Sequence, residues 1–297
     1  MTWVDRPHLP GLQTLINTHL EMALPGWALP AEFIAERLDR YPEQFVLDPW
    51  VVERRTFFVV DGLQVNAAAH LLRYGDDPEV GADYRNIGDI AWLLFTPGAE
   101  EAGMELLAAA REQMRQWGVR LTSAWDFGLP VPLCSGLPDA WPHIRRLFAE
   151  GGFTTEAGKE FIFGGDLDTI PHPGPAPVAD VMVQCAISGT EATFTLQHGA
   201  VTIGECGCVA DLTQNGRLPA FAGWGKLEYL NVVEAWRNRG LGRWLVQYAV
   251  AWMRDAGCKR IAFSVVPDDD ARGAGRFYRR FGWDVRLTLE KGWVDKT

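Results

Sequence analysis

The clearest hydrophobic pattern in the sequence is an apolar stripe at helical spacing in its last quarter. Apolar side chains recur at steps of three and four residues at Leu241, Trp244, Leu245, Tyr248, Ala249, Trp252 and Met253. One face of an α-helix has this period, so the pattern predicts an amphipathic helix that begins at Leu241. Gly257 is placed to end it, because glycine readily adopts the left-handed conformation that closes helices.

Strand-like runs surround this helix. Residues 191–196 and 201–209 flank a short turn, 227–233 lead up to the helix, and 260–266 follow it. Runs of this length, rich in β-branched and aromatic residues and bounded by turn residues, predict β-strands. A short helix that ends at Phe281 completes the second half of the chain.

The first half repeats the same order of elements. It has a predicted hairpin (55–60 and 65–72), a third strand (90–95), a helix (100–117), a further strand (119–125) and a short helix from Trp141. The repetition indicates a tandem duplication. Two additional helices, at 9–22 and 31–41, are predicted before the first copy only.

A proline-rich segment separates the halves. Residues 169–177 contain four prolines at alternate positions. Proline fixes φ and removes a backbone donor, so this segment is expected to be extended and solvated. We therefore expect domains at 1–167 and 180–297, joined by a linker at 168–179.

Composition narrows the class of protein. The 297 residues are 47% apolar and 22% charged, which is typical of soluble globular proteins. The net charge of −10 argues against binding nucleic acid through its phosphates. No membrane span or signal peptide is predicted, so a cytoplasmic protein is expected. The five cysteines have no metal-ligand spacing, and no metal site is expected.

A chemically informative motif precedes the amphipathic helix. Residues 237–242 have the pattern Arg-x-x-Gly-x-Gly, between a strand and a helix. Glycines permit close approach of a ligand, and the unpaired N–H groups at a helix start attract anions. Arg237, Arg239 and Arg243 add positive charge, which favours a pyrophosphate ligand. The alternative is that the glycines only shape a turn and the arginines are solvated.

This context resembles the GNAT superfamily of N-acetyltransferases. In that family an (Arg/Gln)-x-x-Gly-x-(Gly/Ala) loop binds the pyrophosphate of acetyl-CoA, and residues 230–243 fit it closely. A second family motif, an aromatic-Tyr pair ahead of Gly-aromatic, is matched by Phe277-Tyr278 and Gly282-Trp283. The resemblance covers nearly all of the second half. It implies an α/β (α+β) fold of two tandem GNAT-like domains, each a mixed, mostly antiparallel sheet flanked by helices.

The resemblance also implies roles for individual residues. The acetyl-CoA-binding residues would be Leu230, Asn231, Val232, Arg237, Asn238, Arg239, Gly240, Leu241, Gly242 and Arg243. The pantetheine arm would lie along 230–232. The N–H of Val232 would donate to the thioester carbonyl, where negative charge develops during the reaction.

Two catalytic roles are expected, a proton donor and a base. Tyr278 matches the family residue that protonates the leaving thiolate, although an aromatic packing role is the alternative. Glu228 is the first candidate for the base, because simple alternation places it on the strand face of Leu230 and Val232. The alternatives are the three carboxylates at 268–270, or a Glu228 that merely faces solvent. Some relatives have a glutamate where this chain has Val266 and an asparagine where it has Ala271, and these departures leave the proton route open.

The first copy departs from the family at these positions. Aligned with the second copy, it places Glu100, Gly103, Glu105 and Phe148 where the second has Arg237, Gly240, Gly242 and Tyr278. Two carboxylates would repel a pyrophosphate, and phenylalanine has no proton to donate. The first copy is therefore expected to be degenerate and to shape or cover the acceptor site.

The expected function is transfer of an acetyl or other short acyl group from acetyl-CoA to a primary amine, by direct attack in a ternary complex. A small-molecule amine is the expected partner, without nucleic acid, membrane or metal. The alternatives are an acyl-CoA-binding module without turnover and an acetyltransferase acting on protein N-termini or lysines. The sequence does not determine the oligomeric state.

Overall fold

The computed structural model describes residues 8–42, 44, 46–126, 128–133, 135–155 and 158–295. The chain forms two compact units, Met1–Glu160 together with Leu287–Thr297, and Phe161–Arg286. The division falls at Glu160 and Arg286, outside the predicted linker at 168–179, because the end of the chain returns to the first unit. No helix among the described residues is long and apolar enough to cross a membrane.

The first unit is a sheet with helices packed on it. Its helices are α1 (Leu9–Ala23), α2 (Ala31–Asp39), α3 (Glu100–Trp117) and α4 (Pro142–Glu150). Its strands are β1 (Val51–Asp61), β2 (Gln64–Tyr74), β3 (Ile87–Phe95), β4 (Leu121–Ala124), β5 (Leu137–Pro138), β6 (Phe153–Thr155) and, from the end of the chain, β14 (Trp293–Asp295). The strand order is β1-β2-β3-β4-β14-β6, and only β3 and β4 are parallel.

The second unit repeats this arrangement. It contains most of β7 (Lys159–Asp166), β8 (Val181–Ser188), β9 (Glu191–His198), β10 (Val201–Val209), β11 (Trp224–Val232), α5 (Leu241–Asp255), β12 (Arg260–Val265), α6 (Pro267–Ala271), α7 (Ala274–Arg279) and the start of β13 (Asp284–Glu290). Its strand order is β13-β7-β12-β11-β10-β9-β8, and from β7 to β8 only β11 and β12 are parallel. The predicted fold class is confirmed: both units are mixed, mostly antiparallel sheets flanked by helices.

Helix α5 is the central helix of the second unit. It begins at Leu241 as predicted, and Leu241, Trp244, Leu245, Ala249 and Met253 of its apolar stripe are buried. They pack against inward-facing side chains of the sheet, among them Cys206 and Cys208. Most of the remaining predicted helices and strands are confirmed within a few residues, whereas β5, β6, β7, β8, β13 and β14 were not predicted.

The proline-rich segment is less solvated than its composition predicts. Its residues are mostly exposed, but Trp244 Nε1 on α5 donates to the carbonyl of Gly174 at 2.9 Å. Arg254, at the other end of α5, donates to Leu167 O at 3.0 Å and also to Ile170 O. Proline cannot donate to a sheet ladder, so the segment stays extended and offers its carbonyls to side chains of the helix. It lies along α5 rather than free in solvent.

Candidate active site

Two strands at the centre of the second unit separate where the motif residues are found. The parallel pairing of β11 and β12 covers only three residue pairs and ends at Lys226 and Ala262. Beyond that point β11 continues to Val232 with β10 as its only neighbour among the described strands, and β12 continues to Val265 beside β7. The unpaired edges leave a gap in the sheet that an extended ligand can enter.

The backbone of β11 offers a hydrogen-bond donor to this gap. The N–H of Val233 donates to Ile203 O on β10 at 2.9 Å. Successive N–H groups of a strand point to opposite edges, so the N–H of Val232 is directed away from β10. It therefore faces the open side of the strand, where the family resemblance implies that the thioester carbonyl would lie.

The loop between β11 and α5 has the conformation of an anion-binding turn. Asn238 and Gly240 both have positive φ, at 59° and 82°. Gly240 precedes the first turn of α5, and no described side chain caps this helix end. A β-carbon on Gly242 would make only ordinary contacts, with Phe277 at 3.7 Å and Val232 at 3.8 Å. The first N–H groups of α5 thus remain accessible to an anion.

The three arginines of the loop are held differently. Arg237 Nε donates to Val232 O at 2.8 Å, which ties the loop to the end of β11. Arg239 donates to Ala235 O at 3.2 Å and lies over the ring of Trp236. All three, including Arg243, are exposed and keep their positive charge beside the N-terminus of α5. The proline-rich segment borders the same loop, since Pro177 lies 3.3 Å from the position of a β-carbon on Gly240.

Tyr278 lies in an aromatic cluster on α7. Its ring is 4.5 Å from Phe263, 5.1 Å from Phe277 and 6.0 Å from Phe163, measured between ring centres. Burial raises the pKa of Tyr278 well above its ordinary value of 10.0, and Cys206 and Asp269 act in the same direction. The phenol therefore keeps its proton at neutral and mildly alkaline pH.

The structure corrects the expected orientation of Glu228. The register of β11 against β10 skips at Glu228, since Gly207 pairs with Tyr229 and Cys208 with Leu227. This β-bulge places Leu227 and Leu230 in contact with the core under α5, while Glu228 is exposed. The expectation that Glu228 shares a face with Leu230 and Val232 is therefore wrong. Its carboxylate pairs with Lys226 Nζ at 2.8 Å.

The three alternative carboxylates lie on the short helix α6. Asp270 Oδ1 accepts a hydrogen bond from Gly275 N at 3.1 Å, and Asp269 pairs with Arg272 at 3.8 Å. These contacts give two of the three a local structural role at the start of α7. Among the described residues, no group of three or more His, Cys, Asp or Glu side chains is arranged to hold a metal ion.

The first unit lacks the corresponding loop, for a reason that differs from the predicted one. Four residues (96–99) join β3 to α3, whereas eight (233–240) join β11 to α5. Glu100, Gly103 and Glu105 consequently lie inside α3, so their alignment with Arg237, Gly240 and Gly242 is wrong. A β-carbon on Gly103 would approach the Phe95 ring to 2.7 Å, so this glycine serves packing. Glu100 and Glu101 in the first turn of α3 disfavour an anion there.

Phe148, the counterpart of Tyr278 on α4, is fully buried. Its ring packs against Phe153 at 5.0 Å and Trp293 at 6.1 Å. The first unit therefore has an apolar core contact in place of the phenol.

Comparisons with known proteins agree with this geometry. Residues 168–283 match the model of the acetyltransferase (GNAT) family. No curated protein matches the sequence. Among solved structures, the chain is similar to a tandem GNAT protein from the clavulanic acid biosynthesis pathway, with 16% identity, 98% of this chain and 95% of that chain covered, and a TM-score of 0.65.

Two further structures have the same fold. A GCN5-related N-acetyltransferase from Sphaerobacter thermophilus is 16% identical, with 99% and 95% of the two chains covered and a TM-score of 0.58. The glucosamine N-acetyltransferase region of a fungal multi-domain β-N-acetylglucosaminidase is 14% identical, with a TM-score of 0.61, and the match covers 98% of this chain and 37% of that one. Residues 168–283 thus match the model of the GNAT acetyltransferase family, and the whole chain has the fold of a tandem GNAT protein.

Proposed function

We propose that the second unit transfers an acetyl or other short acyl group from acetyl-CoA to a primary amine of a small molecule. The observation that carries this proposal is the coincidence of an open strand edge with a glycine-framed helix N-terminus. The first accommodates an extended pantetheine arm, and the second accommodates the pyrophosphate attached to it. The residues engaged are those at 230–232 and 237–243.

The reaction needs one bond formed, one broken and two protons moved. The amine nitrogen bonds to the acyl carbon, the carbon–sulfur bond breaks, and CoA leaves as a thiolate. The N–H of Val232 stabilises charge on the carbonyl oxygen. Tyr278 supplies the proton that the thiolate takes, since burial keeps this phenol protonated. The amine gives up its proton to a base.

Glu228 remains our first candidate for that base. The bulge exposes its carboxylate on the face of β11 opposite α5. An amine approaching from that face meets Glu228 before it reaches the gap. Lys226 already pairs with this carboxylate, so the arriving amine competes with a partly exposed ion pair, which water weakens.

The Glu228–Lys226 pair also favours a second candidate function, an acyl-CoA-binding module without turnover.

Release of CoA thiol distinguishes the acyltransferase from this binding module. Incubation with acetyl-CoA and a panel of small primary amines is expected to release thiol in proportion to acetylated product. Binding of acetyl-CoA without thiol release across the panel would leave the binding module as the function. Thiol release only with peptide amines would redirect the proposal to a protein acceptor.

A further inference from the structure

The bulge in β11 creates a distinct surface on the side of the second unit's sheet away from α5. Cys206 and Cys208 of β10 point into the core, so Gly207 between them faces the opposite side. A β-carbon on Gly207 would lie 2.4 Å from the Tyr229 ring. The ring therefore covers the glycine, on the face away from α5.

Tyr229 presents an aromatic surface to solvent. Tyr229 is 47% exposed, which is high for a large apolar residue. Its hydroxyl lies 3.4 Å from Thr193 Oγ1 on β9. The ring therefore packs over Gly207 and contacts Thr193 through its hydroxyl, while part of its surface remains accessible, and an accessible tyrosine face attracts cations.

A carboxylate without a cationic partner lies beside this ring. Glu205 is two residues before Gly207 on β10, on the same face, and is paired across the strands with Asn231. No Lys, Arg or His among the described residues forms an ion pair with Glu205, whereas the neighbouring Glu228 is neutralised by Lys226. The surface therefore has one carboxylate that a ligand cation can complement.

The backbone of Glu205 is close to that of Val232, where the proposed reaction centre lies. Neighbouring strands are about 5 Å apart and residues advance by about 3.3 Å, which places Glu205 within roughly 7 Å of Val232 along the backbone. A short aliphatic chain spans that distance.

We propose that the amine acceptor carries a second positive charge, which Glu205 and the face of Tyr229 bind while the other amine is acylated. This inference rests on the proposed function and narrows it to diamines and related dications. Glu205 and Tyr229 then determine specificity and take no part in proton transfer.

The test compares kcat/KM for a series of α,ω-diamines of three to six carbons with the monoamine of the same length. A charge-assisted contact is expected to favour at least one diamine by about tenfold or more. Glu205→Gln is expected to abolish that preference while leaving monoamine turnover unchanged, which loss of folding would not do. Glu191→Gln, at an exposed position at the start of β9, is the matched control and should keep the preference.

Tyr229 gives an independent check. Tyr229→Phe keeps the aromatic face and should keep the preference, whereas Tyr229→Leu should reduce it. Equal turnover of diamines and monoamines by the wild-type chain at every length would overturn the inference alone. A preference for diamines that survives Glu205→Gln would also overturn this inference alone. Absence of turnover with every amine would overturn the proposed function and this inference with it.

Discussion

Tyr278 is the residue whose surroundings bear most directly on proton transfer. Its ring packs against Phe163, Phe263 and Phe277, and burial keeps the hydroxyl protonated. If it protonates the leaving thiolate, Tyr278→Phe should lower kcat by about a hundredfold or more, the usual contribution of a general acid. The affinity for acetyl-CoA should not change, because the hydroxyl acts only as the thioester is cleaved.

The measurement is steady-state thiol release together with equilibrium binding of acetyl-CoA. Phe281→Leu is a suitable control, since it alters the same aromatic cluster without removing a hydroxyl. Unchanged kcat in Tyr278→Phe would assign this residue to packing alone.

Two buried histidines in the first unit make stability depend on pH. Burial lowers the pKa of His70 to about 3 and that of His19 to about 4. The unfolded chain protonates both near 6.5, so between pH 6.5 and 4 it binds more protons than the folded chain. The contribution of these histidines to stability is therefore fully present above pH 6.5 and is lost as the pH falls, by about 3 kcal/mol for His19 and about 5 kcal/mol for His70 on full titration.

Urea unfolding at pH 7 and pH 5 measures this dependence. His70→Gln should reduce the difference between the two midpoints, whereas His172→Gln, at an exposed position in the proline-rich segment, should not. An equal difference between the two midpoints in the wild type, His70→Gln and His172→Gln would show that other groups cause the pH dependence.

Near the site, the sequence predicts residue positions correctly where a motif fixes them. It predicts them wrongly where the backbone is irregular. The Arg-x-x-Gly-x-Gly pattern correctly indicated the loop, because glycine spacing before a helix has a direct conformational meaning. The face of Glu228 was predicted from simple alternation, and a bulge shifts the alternation by one residue. Nothing in the local sequence marks that bulge, although Gly207 opposite Tyr229 is the signal closest to it.

At the scale of elements, α5 and the proline-rich segment form one structural unit. The hydrogen bond from Trp244 Nε1 to Gly174 O holds the segment against the start of the helix. Trp244→Phe removes the donor and keeps an aromatic ring. A typical hydrogen bond contributes about 1 kcal/mol, so amide exchange at 174–178 should become severalfold faster.

Hydrogen–deuterium exchange followed by mass spectrometry measures this change. Trp252→Phe on the same helix is the control and should leave exchange in the segment unchanged. If Trp244→Phe exchanges at the wild-type rate, the segment is held by its other contacts.

The sequence predicted helices better than short strands. Helix α3 was predicted over its observed range, 100–117, because its apolar period and Gly118 are unambiguous. The short strands β5 and β14 contain two or three residues each, too few for any period to appear. The alignment of the two loops was wrong because 96–99 and 233–240 differ in length, which a comparison of element order does not reveal.

At the scale of the whole molecule, the chain ends in the sheet of its first unit. Strand β14 pairs with β4 and β6, Trp293 is buried beside Phe148, and Asp295 pairs with Arg111 at 2.7 Å. Strand exchange of this kind is invisible to sequence patterns, because it depends on pairings far apart in the chain. The two units divide at Glu160 and Arg286, positions that no local pattern in the sequence marks.

Trp293→Ala should therefore destabilise the first unit, by about 3 to 5 kcal/mol as for other buried aromatic residues. Urea unfolding monitored by hydrogen exchange in α3 and α4 measures it. Val294→Ala, at the neighbouring half-buried position, should cost markedly less. Equal protection of α3 and α4 in wild type and Trp293→Ala would show that β14 contributes little to the unit.

The central claim is that the loop before α5 binds the pyrophosphate of acetyl-CoA. Calorimetric titration of the whole chain tests it, with Gly242→Asp as the variant and Gly242→Ala as its control. A β-carbon at this position meets no close contact, so both variants should fold. We predict one site per chain in wild type and Gly242→Ala, and at least tenfold weaker binding in Gly242→Asp because a carboxylate repels the phosphates. Wild-type affinity in Gly242→Asp, or two sites per chain, would contradict the account.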